Sequence, residues 1–117
     1  MRKEEFKARM VRVHCSQRDQ WKGKPLHEAI VSLCMDLGLA GATVYQGLEG
    51  FGASAHIHHA SLWPGSNDPP IVVSIIDREE QIARLLPRLD EMISEGVVAI
   101  SDVEVVRYTN TVAGPLP

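Results

Sequence analysis

The run Ile71-Val72-Val73-Ser74-Ile75-Ile76 constrains this chain more than any other stretch. Successive side chains of a strand point to opposite faces, and here both sets are predominantly apolar. Such a strand needs cover on two sides. Asp77 and Glu80 follow it in the spacing of a capping box, and Ile82, Leu85, Leu86, Leu89, Met92 and Ile93 then repeat with helical period. Pro87 falls inside that pattern and should bend the helix.

Upstream, Val11, Val13 and Cys15 alternate with Arg12 and His14, the mark of a half-buried strand, while residues 1 to 8 read as a frayed or partly helical lead-in. A polar loop over 16–24 leads to Pro25, placed to open a helix whose stripe is Leu26, Ala29, Ile30, Leu33, Cys34 and Leu37. Gly38 supplies its left-handed stop. A strand over Ala42 to Gln46 follows, and Val97 to Ile100 with Val103 to Tyr108 give short closing strands. The order β-α-β-β-α-β predicts an α+β, ferredoxin-like fold: an antiparallel sheet with two helices on one face. The expected single domain spans residues 1–117, with its core at about 9–108 and a short C-terminal tail. One apolar set of the strand Ile71 to Ile76 must then face away from the helices, which argues for a homo-oligomer.

Net charge of −3 gives no basic face for nucleic acid, and no apolar run approaches the roughly 20 residues that span a bilayer. The charged start, Met1 to Lys7, has no secretory apolar segment, so the chain reads as cytoplasmic. Cys15 and Cys34 read as buried small hydrophobes of a reducing compartment.

Chemistry concentrates after Gln46. Gly47-Leu48-Glu49-Gly50-Phe51-Gly52-Ala53-Ser54 removes side chains where backbone turns sharply or meets something closely. It reads either as a bulged corner or as a ligand-facing loop, and no helix follows whose N–H groups would receive a phosphate. Glu49 offers acceptors to a ribose or an amine, or is a plain exposed carboxylate. Phe51 reads as a plug anchoring the loop before a stacking platform. Arg12 and Arg107 are candidates to pair an anion across a subunit cleft, or are solvated or ion-paired strand residues. Trp21 beside Lys22 and Lys24 reads as packed on the helix start.

His56 and His58 would share one side of a strand, where two-apart imidazoles can hold a metal, with His59 alongside. No cysteine or carboxylate nearby in sequence completes a shell, so a trimeric metal-binding module is the alternative reading. No nucleophile–base pair emerges: Cys15 and His14 point to opposite faces, and Ser54 with His56 is a two-residue coincidence. The chain is expected not to be an enzyme. RNA recognition would need exposed aromatics on central strands that carry Val, Ile, His and Ser.

Gly23-Lys24-Pro25-Leu26-x-Glu28-Ala29-Ile30, Gly38-Leu39-Ala40-Gly41-Ala42-Thr43-Val44 and Gly47-x-Glu49-Gly50-Phe51-Gly52-Ala53-Ser54 closely resemble a PII-like family, domain of unknown function 190. Leu86-Pro87-x-Leu89-Asp90-Glu91-Met92 and Val103-Glu104-Val105 extend the resemblance over about residues 9 to 108. It implies a PII-like homotrimer of ferredoxin-like protomers, with a small effector such as an adenine nucleotide held between subunits near Gly47 to Ser54 and Arg107. It also implies a mobile loop from about Ala53 to Pro69 that contacts a partner, a membrane transporter or an enzyme. The Pro64 to Pro70 tip suits such a loop.

Two departures bear on the ligand. Where PII carries a Gly- and Lys-rich phosphate turn, Ser94 to Asp102 here has one glycine and no lysine. PII's arginine-rich closing segment is reduced to Arg107 before Thr109 and Asn110, so little positive charge remains for a triphosphate. No tyrosine lies between Phe51 and Pro70, which removes the tyrosine modification of some PII loops.

Overall fold

The computed structural model describes residues 1–51, 57–59 and 68–110. In chain order the elements are β1 (Arg2–Ser16), β2 (Gln20–Trp21), β3 (Lys24–Pro25), α1 (Leu26–Asp36), β4 (Ala42–Gln46), β5 (Glu49–Phe51), β6 (Ile57–His59), β7 (Pro70–Asp77), α2 (Glu79–Met92) and β8 (Val97–Thr109). The main sheet has the order β4-β7-β1-β8, all antiparallel. With α1 and α2 as crossovers this is the ferredoxin-like plan. Two short pairs, β2–β3 and β5–β6, stand beside it.

Each helical stripe buries as its spacing requires. Leu26, Ala29, Ile30, Leu33 and Cys34 of α1 meet Ile82, Leu85, Leu89 and Met92 of α2 over Val11, Val13, Ile71, Val73 and Ile75 of the two central strands. Each fully buried aliphatic side chain contributes roughly 1.5–3 kcal/mol of transfer free energy. Helix α1 ends in a Schellman motif. The N–H of Gly38 donates to Met35 O at 3.1 Å and that of Leu39 to Cys34 O at 3.0 Å, with Gly38 at φ +74°. Pro25 takes the N-cap position with extended ψ, one residue earlier than its expected place inside the helix.

Three expectations change. Residues 2 to 8 are neither frayed nor helical: they pair with β8 from Arg2 opposite Thr109 to Ala8 opposite Val103. Because β1 meets β7 only from Arg9 onward, this length forms a two-stranded ribbon beyond the four-stranded sheet. The closing strands are one strand, β8, since Ser101 and Asp102 stay in register against Met10 and Arg9. The Asp77 capping box does not form. The Asp77 carboxylate instead accepts the N–H groups of Ala40, at 2.9 Å, and Arg78, at 2.7 Å, tying the end of β7 to the exit of α1.

The polar loop after β1 also carries a small hairpin. Lys22 at φ +48° and Gly23 at φ +82° form its turn, and the Lys22 ammonium lies 5.1 Å from the Trp21 ring. Trp21 is partly buried against the core cluster, to which Leu26 at the start of α1 belongs.

The sheet face turned away from the helices carries cross-strand rows. Tyr45, Val72, His14 and Val97 form one, and Thr43, Ser74, Arg12 and Ala99 the next. Tyr45 is 57% exposed and Val97 55%. On the opposite face Val98 and Ile100 of β8 are also exposed, because the helices centre on β7 and β1. Among the described residues β8 therefore offers apolar side chains on both faces and an unpaired edge. No helix of the described residues is long and apolar enough to cross a membrane.

Candidate functional site

At the end of the sheet opposite the ribbon, the termini of β1, β4 and β7 and the start of β8 converge on a cleft of about 620 Å³. Its lining includes Gly47, Glu49, Gly50 and Phe51, half of the residues singled out as ligand-binding in the sequence. The other wall comes from Asp68 to Val72, and the floor from His14 to Ser16 and Glu95 to Val97. The two walls are the two feet of the segment 52–67.

Backbone bonds fix both feet to the sheet. Gln17 N–H donates to Pro69 O at 3.0 Å, and Gly47 N–H to Pro70 O at 2.8 Å. Buried Ser16 ties the Asp68 carboxylate through its Oγ, and its N–H donates to Asp19 Oδ2 at 2.8 Å. Arg18 N–H completes the knot on Ser16 Oγ at 3.1 Å. Four cleft residues, Ser16, Arg18, Asp19 and Asp68, are thus held at the turn that follows β1.

The glycines divide by role. A Cβ on Gly47 would stand 2.8 Å from Pro70 Cγ, too close without a shift, so this glycine serves the corner itself. A Cβ on Gly50 would meet Pro70 at 3.6 Å, an ordinary contact, and Gly50 is not in the left-handed region. The fold of the chain does not demand its missing side chain. Phe51 is 77% exposed and lines the cleft, and the loop it was expected to anchor lies outside the described residues. Gly52, Ala53, Ser54 and His56 lie outside the described residues, as does most of the expected loop from Ala53 to Pro69. Within that span the described backbone of β6 pairs with β5, Glu49 opposite His59 and Phe51 opposite Ile57. Among the described residues no three His, Cys, Asp or Glu side chains gather to hold a metal.

Cys15 borders the cleft, where burial and then Asp19 push its thiol up to about 11. It is protonated at neutral pH and a poor nucleophile. Burial pushes Cys34 up to about 11 as well.

Arg107 does not join the cleft within one protomer. It lies ten residues along β8 from Val97, about 33 Å at the rise of a strand. There Arg107 Nη2 donates to Glu4 Oε1 at 2.5 Å and Arg78 Nη2 to Glu4 Oε2 at 3.1 Å. The Arg78 guanidinium stacks 3.9 Å from the Phe6 ring centroid, and that of Arg107 lies at 5.5 Å. The Arg107 hydrogen bond holds the Glu4 carboxyl below its usual range. Arg12 is exposed on the open face of β1.

Sequence reasoning missed the β1 side of the cleft. Ser16, Arg18, Asp19 and Asp68 looked like ordinary loop polar residues, although Ser16 and Asp19 have the spacing of a side-chain-to-backbone turn.

The sequence profile of the family described as DUF190, Uncharacterized ACR, matches residues 8–105. The chain belongs to the DUF190 family. Similar curated members include a UPF0166 protein of Aquifex aeolicus, 32% identical over 100 residues, covering 86% of this chain and 94% of that one. A UPF0166 protein of Methanocaldococcus jannaschii is 30% identical over 101 residues, covering 86% and 93%. Among solved structures, this DUF190 chain is similar in fold to CPII, a nitrogen regulatory PII-like protein from Thiomonas intermedia K12, solved bound to ADP, AMP and bicarbonate. The TM-score is 0.63 at 20% identity, covering 87% of this chain and 91% of that one.

Proposed function

We propose that this protein is a non-catalytic PII-like regulator. It binds a small effector at clefts between the subunits of a homotrimer and engages a partner through the segment from about Ala53 to Pro69. One observation carries the reading: the cleft is walled by both feet of that segment, Gly47 to Phe51 on one side and Asp68 to Val72 on the other. A ligand touching both feet is coupled to the segment by the chain itself, and shifts it by as much as it prefers one of its states. The fold shared with CPII and the ligands in that structure, ADP, AMP and bicarbonate, make these the first compounds to try. A PII-like partner would be a transporter or an enzyme.

The two-sided apolar surface of β8 and the row Tyr45, Val72, His14, Val97 support this assembly. A trimer also lets the ribbon of one copy, with Arg107, approach the cleft of the next. Light scattering at micromolar concentration should give about three times the 12.9 kDa of one chain. A monomer removes the inter-subunit site.

The effector is tested by thermal shift with adenine nucleotides, bicarbonate and zinc. A ligand at 100 times its dissociation constant should stabilise by about 2.7 kcal/mol. A shift from a nucleotide or bicarbonate that His56→Ala with His58→Ala leaves intact supports the regulator. A shift from zinc alone, lost in that double variant, makes the protein a metal-binding module instead.

A further inference from the structure

The charge of the cleft narrows what it holds. Four carboxylates line it, Asp19, Glu49, Asp68 and Glu95, against one guanidinium, Arg18, among the described lining residues. Asp19 and Asp68 are engaged with Ser16, whereas Glu49 and Glu95 are exposed and make no hydrogen bond or ion pair among the described residues. Among the described lining residues none belongs to a helix N-terminus, so they offer a phosphate no backbone site of the usual kind. Arg107, the cation that the proposed trimer would bring from a neighbouring copy, is already shared with Glu4 and Phe6 of its own chain.

The rest of the lining suits a flat ring with hydrogen-bond donors. Pro70, Ile71, Val72 and Val97 give an apolar surface, and Phe51 stands exposed at its edge. Ionised carboxylates accept hydrogen bonds and cannot donate them, which fits ribose hydroxyls or an amino group and repels phosphate oxygens.

We infer that the group seated in this cleft is an uncharged or cationic ring of the nucleoside class, and that each added phosphate weakens its binding through Glu49 and Glu95. The inference rests on the effector reading above and specifies its ligand. A phosphate charge about 6 Å from an exposed carboxylate loses roughly threefold in affinity in a water-like medium, so two carboxylates give about tenfold. Magnesium, by neutralising phosphate, and salt, by screening, should both shrink the difference.

Titration calorimetry of the intact protein with adenosine, AMP, ADP and ATP, in low salt without divalent ions, tests it. The expected dissociation constants rise along the series, by at least about tenfold from adenosine to ADP. The rise should contract with magnesium and in the Glu49→Gln, Glu95→Gln double variant, whose substitutions preserve shape. Tightest binding by ATP without magnesium overturns the inference while the nucleotide reading stands. A ranking unchanged in the double variant also overturns it, because the two carboxylates are then not its source. Absence of heat with all four compounds overturns the nucleotide reading, and this inference with it.

Discussion

Gly96→Ala should melt about 10 °C below the wild-type protein, the largest stability loss expected from so small a change. Gly96 immediately precedes β8, at φ +148°, a region that residues with a Cβ rarely adopt. A Cβ built there stands 2.7 Å from the backbone carbonyl oxygen of His14 and 3.6 Å from Ile93 Cγ2. The carbonyl has no easy retreat, because His14 is paired on both sides, to Val72 of β7 and to Val97 of β8. Backbone strain and the clash together should cost about 2–4 kcal/mol. Gly41→Ala is the control: its Cβ would meet nothing within 4 Å and its backbone is not left-handed, so it should melt within a degree or two of wild type. Scanning calorimetry on the two variants decides it. Equal melting would mean that β8 does not start against His14 as closely as described.

That contact also shows why parts of the fold were legible and others were not. The helix stripes and central strands are local patterns, and Leu26 to Cys34 and Ile82 to Met92 bury as their spacing requires. The ribbon is not local. Arg2 to Lys7 has no apolar alternation, and what makes it a strand is a partner about 100 residues later, where Glu4 meets Arg107 and Phe6 meets Val105. Ser101-Asp102 looked like a break for the converse reason. A polar pair interrupts the pattern, yet Asp102 lies opposite Arg9, 3.4 Å from its Nε. Asp77 had the right spacing to cap α2 and was taken by the Ala40 N–H instead, a competitor that spacing within one segment does not reveal.

The cleft divides the same way. Gly47 to Phe51 announce themselves by composition, and the structure places them together on one wall. The opposite wall and floor come from strand ends brought in by topology, and Asp68, Glu95 and Val97 carry no motif of their own. Arg107 is drawn in by the resemblance, but in a single protomer its place on the ribbon keeps it at the far end of β8.

Gly50→Val is expected to abolish effector binding while leaving fold and assembly in place. The two neighbouring glycines make the comparison sharp. At Gly47 a Cβ would be driven to 2.8 Å from Pro70 Cγ, at a corner whose N–H is bonded to Pro70 O, so Gly47→Val should damage the fold. At Gly50 the same atom lies 3.6 Å from Pro70, the backbone is not left-handed, and the residue sits in β5 opposite His58. A β-branched side chain suits such a strand. The valine methyls would instead occupy space in the cleft, and the loss of affinity should be at least about tenfold, or 1.4 kcal/mol. Gly50 lies outside the sheet rows proposed to meet a neighbouring copy, so the mass by light scattering should not change. Dissociation or a large fall in melting temperature would make this glycine part of the framework. Undiminished binding in a well-folded trimer would move the effector away from the Gly47 to Phe51 wall, because a valine cannot share that space with a ligand seated there.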